Sequence, residues 1–291
     1  MNHSKAVISM CIVAFLWSLA GLNIKLINWS PFAITGGRSI LVLILLTPVV
    51  MHSKHRVITK PVLWGAIFYT LFTYCFIIST KLTVAAIATL MQYTAPVYVA
   101  LFSSIVLKEK VSKADLLCMV TVFVGMILFF VDDFTGGNIL GNIIAVFNGI
   151  TFAGFSLSCH MQKNTDPVVS VYLGNIFSSL IGIPFVIKAG VPDFNSFIFL
   201  LLLALQVTIT YTLYNLASRS LTGMESVLLP ILDPLLNPIW VYLFLDEKIG
   251  TIAILGGIIV LISIVANVMY SMRHPTTNER ESISQEKSFQ G

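Results

Sequence analysis

Charge is what this sequence lacks. Only 10% of its 291 residues are Asp, Glu, Lys or Arg, while 57% are hydrophobic. Soluble domains carry roughly a quarter charged residues, so the shortage excludes an ordinary water-soluble fold and leaves an integral membrane protein. Long polar loops are missing too. No connection between apolar runs exceeds about a dozen residues, so a soluble catalytic domain has nowhere to sit. Nucleotide loops, metal clusters and nucleophilic triads do not occur. Gly136-Gly137 and Gly256-Gly257 lack the flanking residues of a phosphate cradle and read as turn and packing glycines. No cofactor, metal or enzymatic activity is therefore expected, and ATP-driven pumping is not.

Paired cysteines are absent as well. Cys11, Cys75, Cys118 and Cys159 each fall inside an apolar run, without metal-type spacing, and read as reduced small hydrophobes. The net charge of +4 is small and its basic residues are scattered over short loops, which argues against a nucleic-acid partner.

What is present is a set of apolar runs, mostly 18 to 25 residues long, each long enough to cross a bilayer as a helix and unlike the alternating pattern of a membrane barrel. Ten can be drawn: Ala6–Ile27, Ile34–Met51, Val62–Thr80, Thr83–Leu107, Ala114–Val131, Ile139–Met161, Val168–Ile187, Ser196–Ala217, Met224–Leu245 and Thr251–Ser271. The first follows Lys5 like a signal peptide, but it is too long and has no convincing cleavage site. The expected fold class is an all-α integral membrane protein of ten transmembrane helices.

With the amino terminus inside, twelve Lys and Arg residues fall in cytoplasmic loops and four at outer ends: Lys25, Lys81, Lys188 and Lys248. That bias places both termini in the cytoplasm of a cell membrane. The polar tail 273–291 is expected to be disordered.

Sliding the chain by 138 residues lays the segment starting at Lys81 over that starting at Arg219 without a gap. Pro96 meets Pro234, Leu107 meets Leu245, Glu109 meets Glu247 and Lys110 meets Lys248. A nearly equal shift brings Ser30-Pro31 over Asp166-Pro167. The halves are thus 1–135 and 136–272, each of five spans. Five is odd, so the second copy enters the membrane from the opposite side, and two such inverted halves can alternate access to a site between them.

A proline in the fourth span of each half, followed by a leucine-rich run and a glutamate (Pro96 with Glu109, Pro234 with Glu247), resembles the EamA family of the drug/metabolite transporter superfamily. The likeness covers about residues 6–271. It implies a ten-helix transporter with a central cavity walled by spans including the third, fourth, eighth and ninth, and a small metabolite, such as an amino acid, as cargo, often moved outward. Where that family commonly has Trp-Gly in the first span, this chain has Trp17-Ser18.

Candidate site residues follow from polar groups at membrane depth. The ninth span carries Pro230, Pro234 and Pro238, whose missing N–H groups free the carbonyls of Ser226, Pro230 and Pro234. Asp233 stands among them near midspan, where a carboxylate is costly. It either carries a proton in exchange for substrate, pairs with a substrate amine, or bonds a freed carbonyl and holds the kink. In the eighth span Gln206, Thr208, Thr210, Tyr211, Tyr214, Asn215 and Arg219 supply polar groups, with Tyr211, Asn215 and Arg219 on one face. These either meet substrate or cross-link helices.

Gln92 and Tyr93 precede Pro96 in the fourth span, and Pro96 frees the Gln92 carbonyl. Tyr69, Thr73 and Tyr74 in the third span, Asn148 and Thr151 in the sixth, and Trp17 with Asn23 in the first complete the candidate wall. Arg38, inside the second span, either snorkels to the outer surface or neutralises a buried acid. Glu109 and Glu247 are expected to fix loop geometry, and His160 to be an interface residue. Glu225 is expected to complement a helix dipole.

The expected function is a secondary permease of small metabolites, amino acids or related polar compounds, with protons as a possible coupled partner and the bilayer as its surroundings. Two other classes fit the same pattern. One is a non-transporting membrane sensor or scaffold using the polar tail, and the other an embedded enzyme acting on lipid-linked substrates, which would need paired acids at one membrane face.

Overall fold

Helix boundaries follow the local chemistry. Ser30 accepts the Ala33 N–H on its side chain at 3.4 Å and Pro31 takes the first helical position, where a missing N–H costs nothing. The equivalent Asp166-Pro167 precedes the seventh span one residue further out: Pro167 stands just before the first helical residue, Val168, and supplies no side-chain cap. That span ends at Gly190, whose φ of 75° reverses the chain as only glycine does readily.

The computed structural model describes residues 2–53, 55–106, 113–133, 139–162, 165–218, 220–221, 229–247 and 250–273. Within them the helices are α1 (His3–Ser18), α2 (Ala20–Leu26), α3 (Pro31–His52), α4 (Lys60–Leu82), α5 (Ala85–Gln92), α6 (Ala95–Val106), α7 (Lys113–Asp133), α8 (Ile139–His160), α9 (Val168–Ala189) and α10 (Phe194–Ser218). A 3-10 turn, Leu229–Ile231, then leads into α11 (Leu232–Leu245), and α12 is Thr251–Arg273. There are no strands among the described residues.

Among the described residues, eight helical stretches are long and apolar enough to cross a membrane, α1 with α2 and α5 with α6 counting as one each. The 21-residue α7 and the shorter Leu229–Leu245 segment supply the other two of the ten expected runs. Large apolar side chains such as Ile44, Leu116, Leu117, Leu243 and Phe244 face outward, as lipid contact requires.

Three expected continuous spans are interrupted. Leu19 separates α1 from α2, Tyr93 and Thr94 separate α5 from α6, and the ninth span enters α11 through the 3-10 turn. Pro96 and Pro234 are not kinks inside long helices: each lies in the first turn of the helix that follows its break, because there the ring replaces an N–H without an intrahelical acceptor. Pro238 alone of the four lies within a helix interior. Pro230 belongs to the 3-10 turn.

The packing pairs survive exchange of the two halves. α4 packs on α8 as α10 packs on α1, α5 and α6 pack on α8 as α11 and its 3-10 turn pack on α1, α3 packs on its equivalent α9, and α7 on its equivalent α12. In the last two pairs the helices run antiparallel. Gly36, near the start of α3, meets Gly182 late in α9, and a Cβ at Gly36 would come within 2.7 Å of the Gly182 Cα. Across the other seam Cys118 lies beside Ser263 and Asp115 bonds Asn267. Bare backbone at these crossings brings the helices closer than any side chain permits.

The two ends of the bundle are tied differently. At one, Lys25 pairs with Glu247 at 3.2 Å and donates to the Thr83 carbonyl, Glu247 also accepts the Ala85 N–H at 2.7 Å, and Lys81 donates to the carbonyls of Lys25 and Ile27. At the other, Ser53 donates to Asp166 and Gln162 donates to Ser170. The described cysteines are all free thiols.

Candidate functional site

A central cavity forms where the broken helices meet. It is lined from seven of the ten spans: Trp17, Ala20 and Ile24, Arg38, Tyr69, Phe72, Thr73 and Phe76, Gln92, Phe152, Leu203, Gln206, Val207 and Tyr211, and Asp233. Spans three, four, eight and nine contribute, as expected. The first, second and sixth join them. The lining is mostly apolar with a few polar groups, the composition of a small-molecule site, and its free volume of about 60 Å³ has room for a few waters, so an organic molecule enters only as the helices around it move apart.

Asp233 reaches the cavity from the first turn of α11, beside a helix amino terminus whose dipole favours negative charge. It is 4% exposed. Tyr93 stands behind it, with its hydroxyl 3.0 Å from Asp233 Oδ2 and 2.8 Å from the Pro230 carbonyl oxygen. One of the three carbonyls expected to be freed by proline thus finds a donor from the other half of the chain; Ser226 and Glu225 lie outside the described residues. A phenol has one proton to give, so both contacts are hydrogen bonds only when the carboxyl itself carries a proton and donates it to the phenol oxygen. Asp233 Oδ1 has no hydrogen-bond partner among the described residues.

Ser18, which stands where the resembled family carries glycine, has its own work. Its hydroxyl accepts the Trp240 indole N–H at 2.9 Å, its carbonyl accepts the Asn237 amide at 3.0 Å, and the first span is thereby fixed to the ninth. The adjacent Trp17 donates to Thr210 at 3.0 Å and lies edge-on to Tyr211, 6.2 Å between ring centroids. Gln206 directs its amide N–H towards the Trp17 carbonyl at 3.5 Å, leaving its Oε1 without a partner.

Of the residues picked from sequence, the cavity brings together Asp233, Gln206, Tyr211, Gln92 and Trp17, with Tyr69 and Thr73 from the third span. The others stand elsewhere. Tyr93 lies behind Asp233. Tyr74 donates to the Ser178 carbonyl at 2.9 Å between α4 and α9, because one residue beyond Thr73 turns it about 100° round the helix. Asn148 donates to the Ala88 carbonyl at 3.2 Å, tying α8 to α5. Tyr214 packs on Trp17 at 5.9 Å. It and Asn215 are outside the lining. Arg219 and Glu109 fall outside the described residues. Glu247 bridges Lys25 and the start of α5.

Arg38 is corrected. It neither snorkels nor meets an acid: the residue is 6% exposed, lines the cavity, and among the described residues makes no ion pair. Gly36 faces α9, and two residues further along α3 the side chain points roughly 200° away, into the protein. The aromatic bed of Phe72, Phe76 and Phe152 was not picked from sequence. Its signal was there in Tyr69, Thr73 and Phe76 at helical spacing along α4.

The sequence profile of the EamA-like transporter family matches twice, over residues 4–131 and 136–269. No curated protein matches. A solved structure titled only "Crystal structure of protein" is similar in fold, with a TM-score of 0.66 and 16% identity over 94% of this chain and all of that one. Proteins of that family are typically membrane transporters of small molecules, which agrees with the apolar helices and the cavity between them. With two family matches that together span nearly the whole sequence, this chain belongs to the EamA-like transporter family.

Proposed function

We propose that this chain is a secondary transporter of small metabolites, amino acids or related polar compounds, working in the cell membrane with both termini cytoplasmic. Two five-helix halves, 1–135 and 136–272, inverted with respect to each other, rock about the central cavity and expose it to one side at a time. Supporting this are the packing pairs that survive exchange of the halves and the antiparallel seams between equivalent helices. The observation that carries the function is the cavity itself, lined by spans of both halves and holding one buried carboxyl among aromatic rings.

Asp233 is the coupling group: it takes a proton or a substrate amine, but not both. Gln206, Tyr211, Gln92 and Trp17 hold the substrate's polar and apolar parts, and Tyr93 keeps the carboxyl in place. Outward movement driven by the proton gradient is the direction we favour.

Counterflow into sealed proteoliposomes with mixed labelled metabolites tests the transport step. Exchange across the membrane is expected, and its absence for every compound refutes it. Uptake by Asp233→Asn is expected to lose the pH dependence of the wild type. An unchanged pH profile removes Asp233 from coupling.

A further inference from the structure

Arg38 presents an unusual combination. Its guanidinium cannot give up its proton in a protein, it is buried, and among the described residues its Nε and Nη2 atoms have no hydrogen-bond partner. These are not two arbitrary donors. In a guanidinium, Nε–H and the adjacent Nη2–H point the same way and form the side-on edge that matches the two oxygens of a carboxylate. A buried charge without a partner is costly. Among the described residues no acid compensates it: Asp233 lines the same cavity, yet no hydrogen bond or ion pair joins it to Arg38, and its own Oδ1 is likewise without a partner there.

We propose that Arg38 is a substrate-binding residue, whose free Nε/Nη2 edge receives a carboxylate of the transported molecule and makes that carboxylate a condition of tight binding. The inference rests on the cavity being the transport site. Its polar groups then divide by role. Arg38 takes the anionic end, while Asp233 Oδ1 and Gln206 Oε1, both acceptors without partners, face the ammonium end. The apolar body lies on Tyr69, Phe72, Phe76 and Phe152. A zwitterion satisfies both charged groups at once. A simple amine leaves the guanidinium bare, and a simple acid leaves the carboxylate of Asp233 bare or protonated.

The test uses the full-length purified chain and three compounds with the same body: phenylalanine, 2-phenylethylamine, which lacks the carboxylate, and 3-phenylpropanoate, which lacks the amine. Binding is read by thermal shift, and transport separately by counterflow. The wild type is expected to bind phenylalanine most tightly. Arg38→Gln is expected to bind phenylalanine and 3-phenylpropanoate roughly 10- to 100-fold more weakly, the loss of a charged two-point contact. Its affinity for 2-phenylethylamine should stay within about threefold, which also reports that the variant is folded.

If Arg38→Gln does not survive as a monodisperse protein, Arg38→Lys keeps the charge without the planar fork and is expected to lose about tenfold for the two carboxylates. Equal preference for carboxylates in wild type and variant overturns the proposal. So does an equal loss for all three compounds, which would make Arg38 an internal counter-ion of Asp233 in another conformation. Carboxylate binding that depends on Arg38 without any counterflow leaves Arg38 in place and refutes transport. Counterflow indifferent to Arg38 does the reverse.

Discussion

Removing the carboxylate of Glu247 should open one end of the cavity. Lys25 belongs to the first half of the chain and Glu247 to the second, their charged atoms lie 3.2 Å apart, and the side chains are 20% and 17% exposed. At an effective dielectric constant of about 20 the Coulomb attraction at that distance is about 5 kcal/mol. Desolvation of both groups cancels much of it. Glu247 also caps α5 through the Ala85 N–H, and hydrogen bonds to a charged group contribute about 1.5–3 kcal/mol net. About 2 kcal/mol is thus a fair value for what Glu247→Gln removes.

If rocking separates Lys25 from Glu247, that energy is present in one conformation only, and losing it multiplies the open-to-closed ratio roughly 30-fold. The assay is maleimide labelling of Phe76→Cys, in a background without the native thiols, by an impermeant reagent added to the membrane face that carries Lys25. A rise of about 30-fold in rate is expected, with no rise from the opposite face. Lys25→Gln combined with Glu247→Gln should fall short of the sum of the single changes, since the two share the ion pair. A labelling rate within twofold of the parent, or an equal rise from both faces, refutes the idea that this pair holds one end shut.

Other outcomes follow from the same contacts. Tyr93→Phe strips the Pro230 carbonyl and Asp233 Oδ2 of their shared hydroxyl and is expected to destabilise the protein by about 1–3 kcal/mol, read as a lower melting temperature in detergent; an unchanged value would mean other donors serve both groups. Gly36→Ala drives a methyl into the Gly182 backbone and should cost about 1–3 kcal/mol, with an unaltered melting temperature counting against the close seam. Asp193, in the connection before α10, accepts hydrogen bonds from the Ser196 hydroxyl and from backbone N–H groups of its own turn, which hold its carboxyl below the ordinary value. Its contribution to stability is therefore full above the ordinary carboxylate range and lost as pH falls through its lowered folded-state value. The melting difference between wild type and Asp193→Ala should shrink only in strong acid; a difference that already shrinks near neutral pH contradicts this.

The sequence disclosed the spans because a bilayer demands long apolar runs, and the neighbourhood of two breaks because proline cannot donate; the break at Leu19 has no proline beside it and left no sign. Asp233 stood out since a carboxyl amid such runs is rare. Rotation about each helix axis was not legible. Thr73 and Tyr74 differ by one residue, yet one lines the cavity and the other bonds Ser178, and only the packing of α4 on α8 and α9 decides which. Arg38 was misjudged for the same reason: the seam between Gly36 and Gly182 turns it inward, and a seam between segments 146 residues apart leaves no local trace. The phenylalanines of α4 and α8 left only their helical spacing as a trace, and rings so spaced face lipid as readily as an interior.

The position of Tyr93 makes the fourth span a listener to the ninth. When Asp233 carries its hydrogen, the phenol is free to donate to the Pro230 oxygen. When that hydrogen departs, the carboxylate competes for the phenol's single donor, and the backbone oxygen is left bare at the interruption. A change of one proton at the chamber thus becomes a change in how firmly two interrupted spans, one from each half, are laced together.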